Sequence, residues 1–302
     1  KFKKKIKRIY FIENKKYLGV FLPYINNSKK KDILILTFSE LSLPKNINLH
    51  IINLKTNFFR KLFFMTTDAK FIYSSTPDLG NSLFVRSKNP NSRYLYLQHS
   101  PVGLLKAYKE KSFLNFDIVF CNSTYQKEDI NIINKYFKKR IKTWKQKIIL
   151  NNHKKNNLRK NLQPSILIAP SWSTNFYSNE ILKAVENCSK DFKITFRPHY
   201  MSFKKKEISK KYFVDKNIEL DQNDKCDFKK FDLIISDWSG IYIEYILSEL
   251  KKPLLINLPE KKRNNFFSNN LSIEKKLRKD FSTQLNLENI GTLKFIIKTI
   301  LH

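Results

Sequence analysis

The stretch from Phe228 to Leu258 restricts the possible folds more than any other part of the chain. It reads FKKFDLIISDWSGIYIEYILSELKKPLLINL. An apolar run over Leu233 to Ile235 is followed by a short polar turn, a helical pattern over Ile241 to Leu250, and a second apolar run over Pro253 to Leu258. Apolar strands joined by a short helix indicate a parallel βαβ unit, so the chain is predicted to contain a parallel sheet covered by helices.

The polar turn of this unit is predicted to bind an anion. It consists of Ser236, Asp237, Trp238, Ser239 and Gly240. The turn lies at the carboxyl end of a strand, which is the edge where open α/β sheets bind ligands. It also begins a helix, whose exposed amides and positive dipole end favour phosphate. Ser239 can cap the helix or face the phosphate, and ordinary capping by Ser and Asp is the alternative. Because a carboxylate repels phosphate, Asp237 is expected to orient a neighbouring Arg, Lys or hydroxyl, or to hold the turn.

Apolar strands with helical or looped spacers occur on both sides of a basic, Asn-rich segment, Lys138 to Asn161, which is interpreted as an interdomain linker with some local structure. The predicted strands are Asp32 to Thr37, His50 to Leu54, Lys70 to Tyr73, Ser92 to Leu97, Phe116 to Cys121, Ser165 to Ala169 and Phe192 to Phe196, besides a first strand after the basic N-terminal residues. The predicted helices are Gln126 to Tyr136, Asn179 to Glu186 and Ile290 to Leu301, and Phe58 to Thr67 is either a helix or a strand. This pattern predicts an α/β fold of the GT-B type, with two Rossmann-like domains, residues 1–155 and 156–302, facing an interdomain cleft.

The charge of the chain indicates anionic partners. Its 302 residues include 58 Lys and Arg but only 26 Asp and Glu, giving a net charge of +32. Such a charge favours nucleic acid, acidic lipid or phosphorylated substrates, although a compositional bias of the source genome is the alternative cause. No zinc-finger, helix-turn-helix or RNP-like motif is present, so nucleic acid is not expected. No run of about 18 apolar residues predicts a membrane-spanning helix.

The three cysteines are scattered, which is typical of free thiols in a reducing cytoplasm. Neither the cysteines nor the five histidines have the spacing of a zinc site. No metal is therefore expected, with Mg²⁺ held mainly by a substrate diphosphate as the alternative.

Polar clusters follow four of the predicted strands. They are Gln98-His99-Ser100, Pro170-Ser171-Trp172, Arg197-Pro198-His199 and the turn from Ser236 to Ser239. A neutral His99 can remove a proton from a hydroxyl, while Arg197 and His199 can neutralise oxyanions. Each histidine alone is more often structural, but together the clusters indicate ligand-binding edges on two sheets.

These motifs together resemble the CDP-glycerol glycerophosphotransferases, the family of teichoic acid primases and polymerases and their capsule-polymer relatives. The resemblance covers roughly Tyr94 to Leu258 and rests on QHSPVGLLK, FDIVFCNS, IAPSW, RPH and FDLIISDWSGIYIEYILSELKKPLLI, in the family's order and approximate spacing. The chain departs from the family pattern at several positions: Ser100 stands where a Gly usually follows the first His, Trp238 replaces a Tyr, Gly240 replaces a Ser, and Glu244 replaces an Asp.

The resemblance implies transfer of glycerol phosphate or ribitol phosphate from a CDP-activated donor to a hydroxyl of a lipid-linked or glycan acceptor, with release of CMP, in cell-surface polymer synthesis. It implies an acceptor domain over 1–155 and a nucleotide-donor domain over 156–302. His99 and His199 are the catalytic candidates. The candidates for donor binding are Arg197, Ser171, Trp172, Ser236, Asp237, Ser239 and Gly240. Ser100 and Lys106 are the candidates for steering the acceptor or a phosphate, and an ordinary solvated lysine is the alternative for Lys106. Core packing is the alternative for Trp172 and Trp238.

The same resemblance implies a cytoplasmic enzyme, peripheral on the inner face of the membrane, with the anionic membrane surface as a partner and no cofactor. Two other functions fit the residues. One is a GT-B glycosyltransferase that uses a CMP- or UDP-sugar in capsule or lipopolysaccharide assembly. The other is a non-enzymatic module that binds nucleic acid or an anionic membrane through its charge.

Overall fold

The computed structural model describes most of the chain as two compact units. It describes residues 6–26, 32–37, 49–81, 84–147, 163–172, 175–214, 216–223, 226–260 and 272–302. The described residues up to 147 belong to the first unit, and those from 163 onward belong to the second. The domain boundary predicted between residues 155 and 156 lies outside the described residues.

The first unit contains a sheet of seven parallel strands in the order β3-β2-β1-β4-β5-β6-β7. The strands are β1 (Ile6–Ile12), β2 (Ile33–Leu36), β3 (His50–Asn53), β4 (Ala69–Ser74), β5 (Arg93–Leu97), β6 (Ile118–Cys121) and β7 (Lys142–Lys145). The helices are α1 (Leu18–Ile25), α2 (Asn57–Thr66), α3 (Leu104–Ala107) and α4 (Thr124–Phe137).

The second unit contains a sheet of six parallel strands in the order β10-β9-β8-β11-β12-β13. The strands are β8 (Ser165–Ile168), β9 (Lys193–Phe196), β10 (Ile218–Leu220), β11 (Leu233–Ser236), β12 (Leu254–Asn257) and β13 (Thr283–Asn286). The helices are α5 (Asn179–Cys188), α6 (Tyr200–Lys204), α7 (Ile241–Glu249), α8 (Ile273–Phe281) and α9 (Leu293–Leu301).

The strand order reverses once in each sheet, and this reversal locates the candidate sites. In the first sheet it occurs between β1 and β4, and in the second between β8 and β11. Loops leave the carboxyl ends of these neighbouring strands in opposite directions, which opens a crevice at the sheet edge where ligands bind.

Each sheet has an apolar core on both faces. Along β2, Ile33 and Ile35 belong to one core cluster of the first unit, and Leu34 belongs to the cluster on the opposite face. Along β8, Ile166 and Leu167 divide in the same way between two clusters of the second unit. Because both faces are covered, the central strands are continuously apolar rather than alternating, which is why they could be recognised in the sequence.

The predicted strands correspond to β1–β6, β8, β9, β11 and β12. Phe58 to Thr67, which was predicted as either a helix or a strand, corresponds to the helix α2. Three strands were missed, and all are at sheet edges: β7, β10 and β13. The interpretation of 142–145 as linker was therefore wrong, because β7 pairs with β6. These edge strands are partly exposed and contain polar residues, so their sequences lack the continuous apolar run that marks a buried strand. They are recognised as strands by their pairing with a neighbouring strand.

Helix α1 was also missed, because it contains Gly19 and Pro23, both poor helix formers. Its apolar residues Phe21 and Ile25 are fully buried against the sheet, and this packing outweighs the low propensity.

Helix α7 ends at a strained residue, which yields a stability prediction. Leu250 has φ 55° and ψ 29°, a left-handed conformation that favours glycine, and its side chain is 88% exposed. We expect Leu250→Gly to raise the free energy of unfolding by about 0.5 to 1 kcal/mol, since it relieves the backbone strain and sacrifices no buried surface.

Urea denaturation of the variant measures this effect. Leu247→Gly is the matched control, because Leu247 is also exposed but lies inside the helix. This control should lower the free energy of unfolding by about 1 kcal/mol. A destabilised Leu250→Gly protein would contradict the strain argument.

Candidate functional site

The loops on either side of the β8/β11 reversal are tied together by buried hydrogen bonds. The Ser171 amide donates to Asp237 Oδ1 over 2.7 Å, and the Ser171 hydroxyl donates to Asp237 Oδ2 over 2.8 Å. The Ser236 hydroxyl donates to the Ala169 carbonyl over 2.6 Å. Ser236 and Asp237 are fully buried. The carboxylate therefore holds the turn and orients a hydroxyl, one of the roles expected for it.

A buried arginine, Arg278 on α8, supports the same turn from its other side. Its guanidinium donates to the Asp237 carbonyl over 2.8 Å and to Asn257 Oδ1 over 2.6 Å, and it lies 4.2 Å from the centre of the Trp238 ring. Burial lowers the pKa of Arg278. The Trp238 indole donates to the Leu258 carbonyl over 2.7 Å, so both its edge and one face are engaged by the protein.

The N-terminus of α7 presents amide groups at this turn. Among the described residues, no hydrogen-bond acceptor engages the amides of Ser239, Gly240 and Ile241. The intrahelical acceptor for Ile241 would be the Asp237 carbonyl, which instead accepts from Arg278. Unengaged amides at a helix N-terminus, combined with the helix dipole, form an anion-binding arrangement.

Glu244 lies in the first turn of α7 and affects the charge of this site. Desolvation, partly offset by the positive charge of Arg197, raises the pKa of Glu244 to about 7, although much of the residue remains exposed. A raised pKa lowers the negative charge that Glu244 carries beside the helix N-terminus, and its exposure to water limits this effect.

Arg197 follows β9 and is held in an ion pair. One guanidinium nitrogen lies 2.6 Å from Asp221 Oδ2, and the other donates to the Asn223 carbonyl over 2.9 Å. Asp221 thus compensates much of the charge that was predicted to face a donor phosphate. The positive charge of Arg197 nevertheless acts to lower the pKa of Glu244, so the electrostatic effect of Arg197 reaches the first turn of α7.

His199 caps helix α6 with its side chain. Its Nδ1 accepts a hydrogen bond from the Met201 amide over 3.2 Å. Since Nδ1 is the acceptor, a neutral His199 carries its proton on Nε2. The His199 ring centre is 6.2 Å from that of Trp172, and the Lys205 ammonium lies 4.3 Å from the centre of the Trp172 ring. The loops after β8 and β9 therefore meet through Trp172 and His199.

A basic cavity adjoins the turn and was not predicted. It has a volume of about 390 Å³ and is lined by Trp238, Asn257, Leu258, Lys275, Arg278, Lys279 and Gln284. Its three cationic residues all come from α8. Lys275 is three positions from Arg278 and four from Lys279, a spacing that places all three on one side of a helix. This spacing could have indicated the cavity from the sequence alone.

In the first unit, His99 lies between aromatic rings. The centre of its imidazole is 4.4 Å from that of Tyr17, which follows β1 in a 3₁₀ turn, and 6.3 Å from that of Tyr108. Burial lowers the pKa of His99 to about 4, while the backbone of Ser75 acts in the opposite direction. Its Nδ1 is buried without a hydrogen-bond partner among the described residues. His99 is therefore neutral at pH 7, as a general base must be.

The loop after His99 is held by side chains of α4. Gln126 donates to the Ser100 carbonyl over 3.2 Å and to the Val102 carbonyl over 2.9 Å, and the Tyr125 hydroxyl donates to the Pro101 carbonyl. The Ser100 carbonyl is thus engaged by the scaffold. Lys106 lies in the last turn of α3 and is partly buried.

Glu13 is a polar residue at the β1/β4 reversal that sequence reasoning missed as a site residue. Its Oε2 accepts from the Thr76 hydroxyl over 2.9 Å, and its Oε1 lies 3.1 Å from the Arg60 guanidinium. Its position directly after β1 was the available signal, because polar residues at strand ends line these edges.

Two further observations concern metals and membranes. Among the described residues, no group of three or more His, Cys, Asp or Glu is arranged to hold a metal ion. None of the helices described here is long and apolar enough to span a bilayer.

Comparison with known proteins identifies the fold. No protein family model and no curated protein matches the chain. Two structures of histidine-substituted wall teichoic acid polymerase TagF match with TM-scores of 0.58 and identities of 13% and 14%, covering 98% and 99% of this chain and 80% of the TagF chain. Anabaena HepE in complex with UDP and glucose has a TM-score of 0.50 at 9% identity, covering 97% of this chain and 89% of HepE.

A UDP-N-acetylglucosamine 2-epimerase has a TM-score of 0.51 at 10% identity, covering 98% of this chain and 88% of the epimerase. At such low identities these likenesses establish the fold and nothing more specific. The predicted GT-B fold class is confirmed, since both units are parallel α/β sheets of the kind found in these structures.

The contact between Tyr17 and His99 predicts a pKa change. Tyr17→Ala should expose the imidazole to water, so we expect the pKa of His99 to rise from about 4 toward its ordinary value of 6.5. Tyr17→Phe retains the ring and should leave the pKa near 4. An NMR titration measures both, with His99→Gln assigning the signal. Titration of wild-type His99 near 6.5 would contradict the packing argument.

The same shift has a consequence for stability. Between about pH 6.5 and pH 4 the unfolded state binds a proton at residue 99 that the folded state does not bind. The free energy of unfolding should therefore fall as the pH falls through this window, and fall less steeply in the Tyr17→Ala variant. Urea denaturation at a series of pH values measures the difference.

The bonds between Asp237 and Ser171 predict a large difference between two substitutions. Asp237→Ala leaves a buried amide and hydroxyl without their acceptor, so we expect the free energy of unfolding to fall by about 3 kcal/mol. Ser171→Ala removes one of the two hydrogen bonds to the buried carboxylate and keeps the amide bond, so it should cost less, about 1.5 kcal/mol. Urea denaturation of both variants tests this, and equal losses would show that the carboxylate does not hold the turn.

Proposed function

We propose that this chain is a GT-B-type transferase that moves glycerol phosphate or ribitol phosphate from a CDP-activated donor to a hydroxyl of a lipid-linked or glycan acceptor and releases CMP. The observation that carries the proposal is the N-terminus of α7, where three amides without acceptors among the described residues lie at the β8/β11 reversal. Preorganised donors of this kind stabilise the charge of a diphosphate without rearranging.

The choice of donor is supported by the fold comparison together with the motif pattern. TagF is a wall teichoic acid polymerase, and one of its matching structures was soaked with CDPG. The quoted motifs of this chain follow the order of the same family's motifs. The proposed localisation at the inner face of the cell membrane has the same basis, with the net charge of +32 favouring an anionic surface.

The donor-binding roles are assigned to groups that follow β8, β9 and β11 at the edge of the second sheet. The Ser239 hydroxyl and the amides of Gly240 and Ile241 hold the phosphates, and His199 donates from Nε2. Trp172 contacts the base of the donor. Ser171, Ser236 and Asp237 act by holding the turn, because their side chains bond to one another and to the backbone.

The remaining roles concern the acceptor. The neutral imidazole of His99 takes the proton of the acceptor hydroxyl as its oxygen attacks the phosphorus that carries the polyol. The bond from this phosphorus to the CMP oxygen then breaks, and CMP leaves with the electron pair and its negative charge. Ser100 and Lys106 steer the acceptor or its phosphate.

A second candidate is a glycosyltransferase that uses a UDP- or CMP-sugar. It is favoured by the match to HepE, whose structure contains UDP and glucose. The replacements Trp238 and Gly240 at the predicted donor turn also fit a donor that differs from the family's. Thermal unfolding in a nucleotide panel separates the candidates, since only a bound donor raises the melting temperature.

The proposed reaction is tested by CMP release from CDP-glycerol and CDP-ribitol with candidate acceptors. His99→Ala should reduce kcat by about 10²- to 10⁴-fold, as expected for loss of a general base. His199→Ala should reduce kcat by a smaller factor. His199→Gln should reduce kcat less than His199→Ala does, because the glutamine amide can still donate a hydrogen bond.

His50→Ala is the matched control, because His50 is an exposed histidine on the edge strand β3. It should retain full activity. Full activity in both His99→Ala and His199→Ala would overturn the assigned site. Salt-sensitive DNA binding without CMP release would favour the non-enzymatic alternative.

A further inference from the structure

Helix α2 of the first unit exposes an unusual amount of apolar surface. Phe58 is 70% exposed, Phe59 57% and Leu62 46%. The two phenylalanine rings contact each other edge to face at 5.6 Å. The opposite side of the helix is buried through Arg60 and Phe64. Exposed aromatic clusters of this kind on a soluble domain mark interaction sites.

The charged residues of α2 and of the segment leading into it are all positive. Residues 50–66 include Lys55, Arg60 and Lys61 but no Asp or Glu. Lys55 and Lys61 are exposed. Aromatic and aliphatic side chains flanked by lysines are the combination by which interfacial helices bind anionic lipid. A second copy of this chain is a poorer occupant, because two surfaces of a protein with a net charge of +32 repel each other.

Hydrogen bonds connect α2 to the edge of the sheet where the first-unit reversal lies. The buried Arg60 of α2 contacts Glu13, and Glu13 accepts from Thr76. Glu13 follows β1 and Thr76 follows β4, the strands on either side of the reversal. Tyr17, a few residues after Glu13, packs against His99 with the two rings tilted by 33°. The exposed helix is therefore anchored to the same group of loops as the candidate base.

We propose that the face of α2 formed by Phe58, Phe59 and Leu62, together with Lys55 and Lys61, docks onto an anionic lipid surface. The aromatic side chains insert at the level of the headgroups and the lysines contact lipid phosphates. The inference rests on the proposed function in one respect: docking here brings a lipid-linked acceptor to the unit that contains His99. Vesicle binding itself does not depend on that reaction.

Sedimentation with vesicles tests the docking surface. The wild-type chain should bind vesicles of mixed phosphatidylcholine and phosphatidylglycerol and bind phosphatidylcholine alone weakly. Phe58→Ser combined with Phe59→Ser should reduce partitioning to the mixed vesicles by about tenfold or more. Lys55→Ala combined with Lys61→Ala should reduce the preference for phosphatidylglycerol and its dependence on salt.

A matched control comes from the second unit. Phe281 and Phe295 are 52% and 72% exposed, so Phe281→Ser combined with Phe295→Ser removes the same side chains from another surface. This control should bind mixed vesicles as the wild type does. Equal binding by the α2 variant and the wild type overturns the proposal, as does an equal loss in the control. Sedimentation equilibrium showing a wild-type dimer that the α2 substitutions dissociate would assign the surface to a second copy instead.

A second assay separates failure of docking from failure of the proposed function. With a water-soluble acceptor, the Phe58 and Phe59 variant should release CMP at the wild-type rate, because the substituted side chains lie outside the assigned site. Unchanged CMP release with lost vesicle binding supports both inferences. Absence of CMP release from the wild type overturns the function only, and retained vesicle binding by the variant overturns the docking surface only.

Discussion

The double hydrogen bond between the Asp237 carboxylate and Ser171 is the interaction on which the candidate donor site depends. A buried carboxylate is costly unless both oxygens are engaged, and here the amide and hydroxyl of Ser171 engage them. The loops across the β8/β11 reversal are thereby fixed. On the opposite side, Arg278 donates to the Asp237 carbonyl. The amides at the start of α7 are thus held at this turn without an acceptor among the described residues.

The two candidate histidines show how similar positions after strands produce different chemistry. His99 is packed between Tyr17 and Tyr108, and burial keeps it neutral with a pKa of about 4. His199 uses Nδ1 to cap α6, so its neutral form presents Nε2 as a donor. One imidazole is therefore held in its neutral form at pH 7, and the other, when neutral, carries its proton on Nε2. Environments that separate the behaviour of two titratable groups in this way typically divide their roles in a reaction.

Much of this arrangement could be predicted from the sequence, because buried parallel strands are continuous apolar runs and the polar residues after them share one sheet edge. The edge strands β7, β10 and β13 escaped because pairing with a neighbour, rather than a pattern of their own, makes them strands. The partners of the predicted residues escaped for a related reason. Tyr17 is 82 positions from His99 in the sequence, and Arg278 is 41 positions from Asp237. Contacts between residues so far apart cannot be predicted from a local sequence pattern.

The contacts of Arg197 and Arg278 show that part of the positive charge of the chain is already engaged within the protein. Arg197 is paired with Asp221, and Arg278 is buried against a carbonyl and an aromatic ring. The amides at the α7 turn, by contrast, are neutral donors, which bind through direction and distance and are screened little by salt. Exposed lysines such as Lys55 and Lys61 act over a longer range and lose their effect as salt increases. Under the two proposals, donor recognition by the amides and attraction to an anionic surface differ in their dependence on salt, and only the second should weaken strongly as the ionic strength rises.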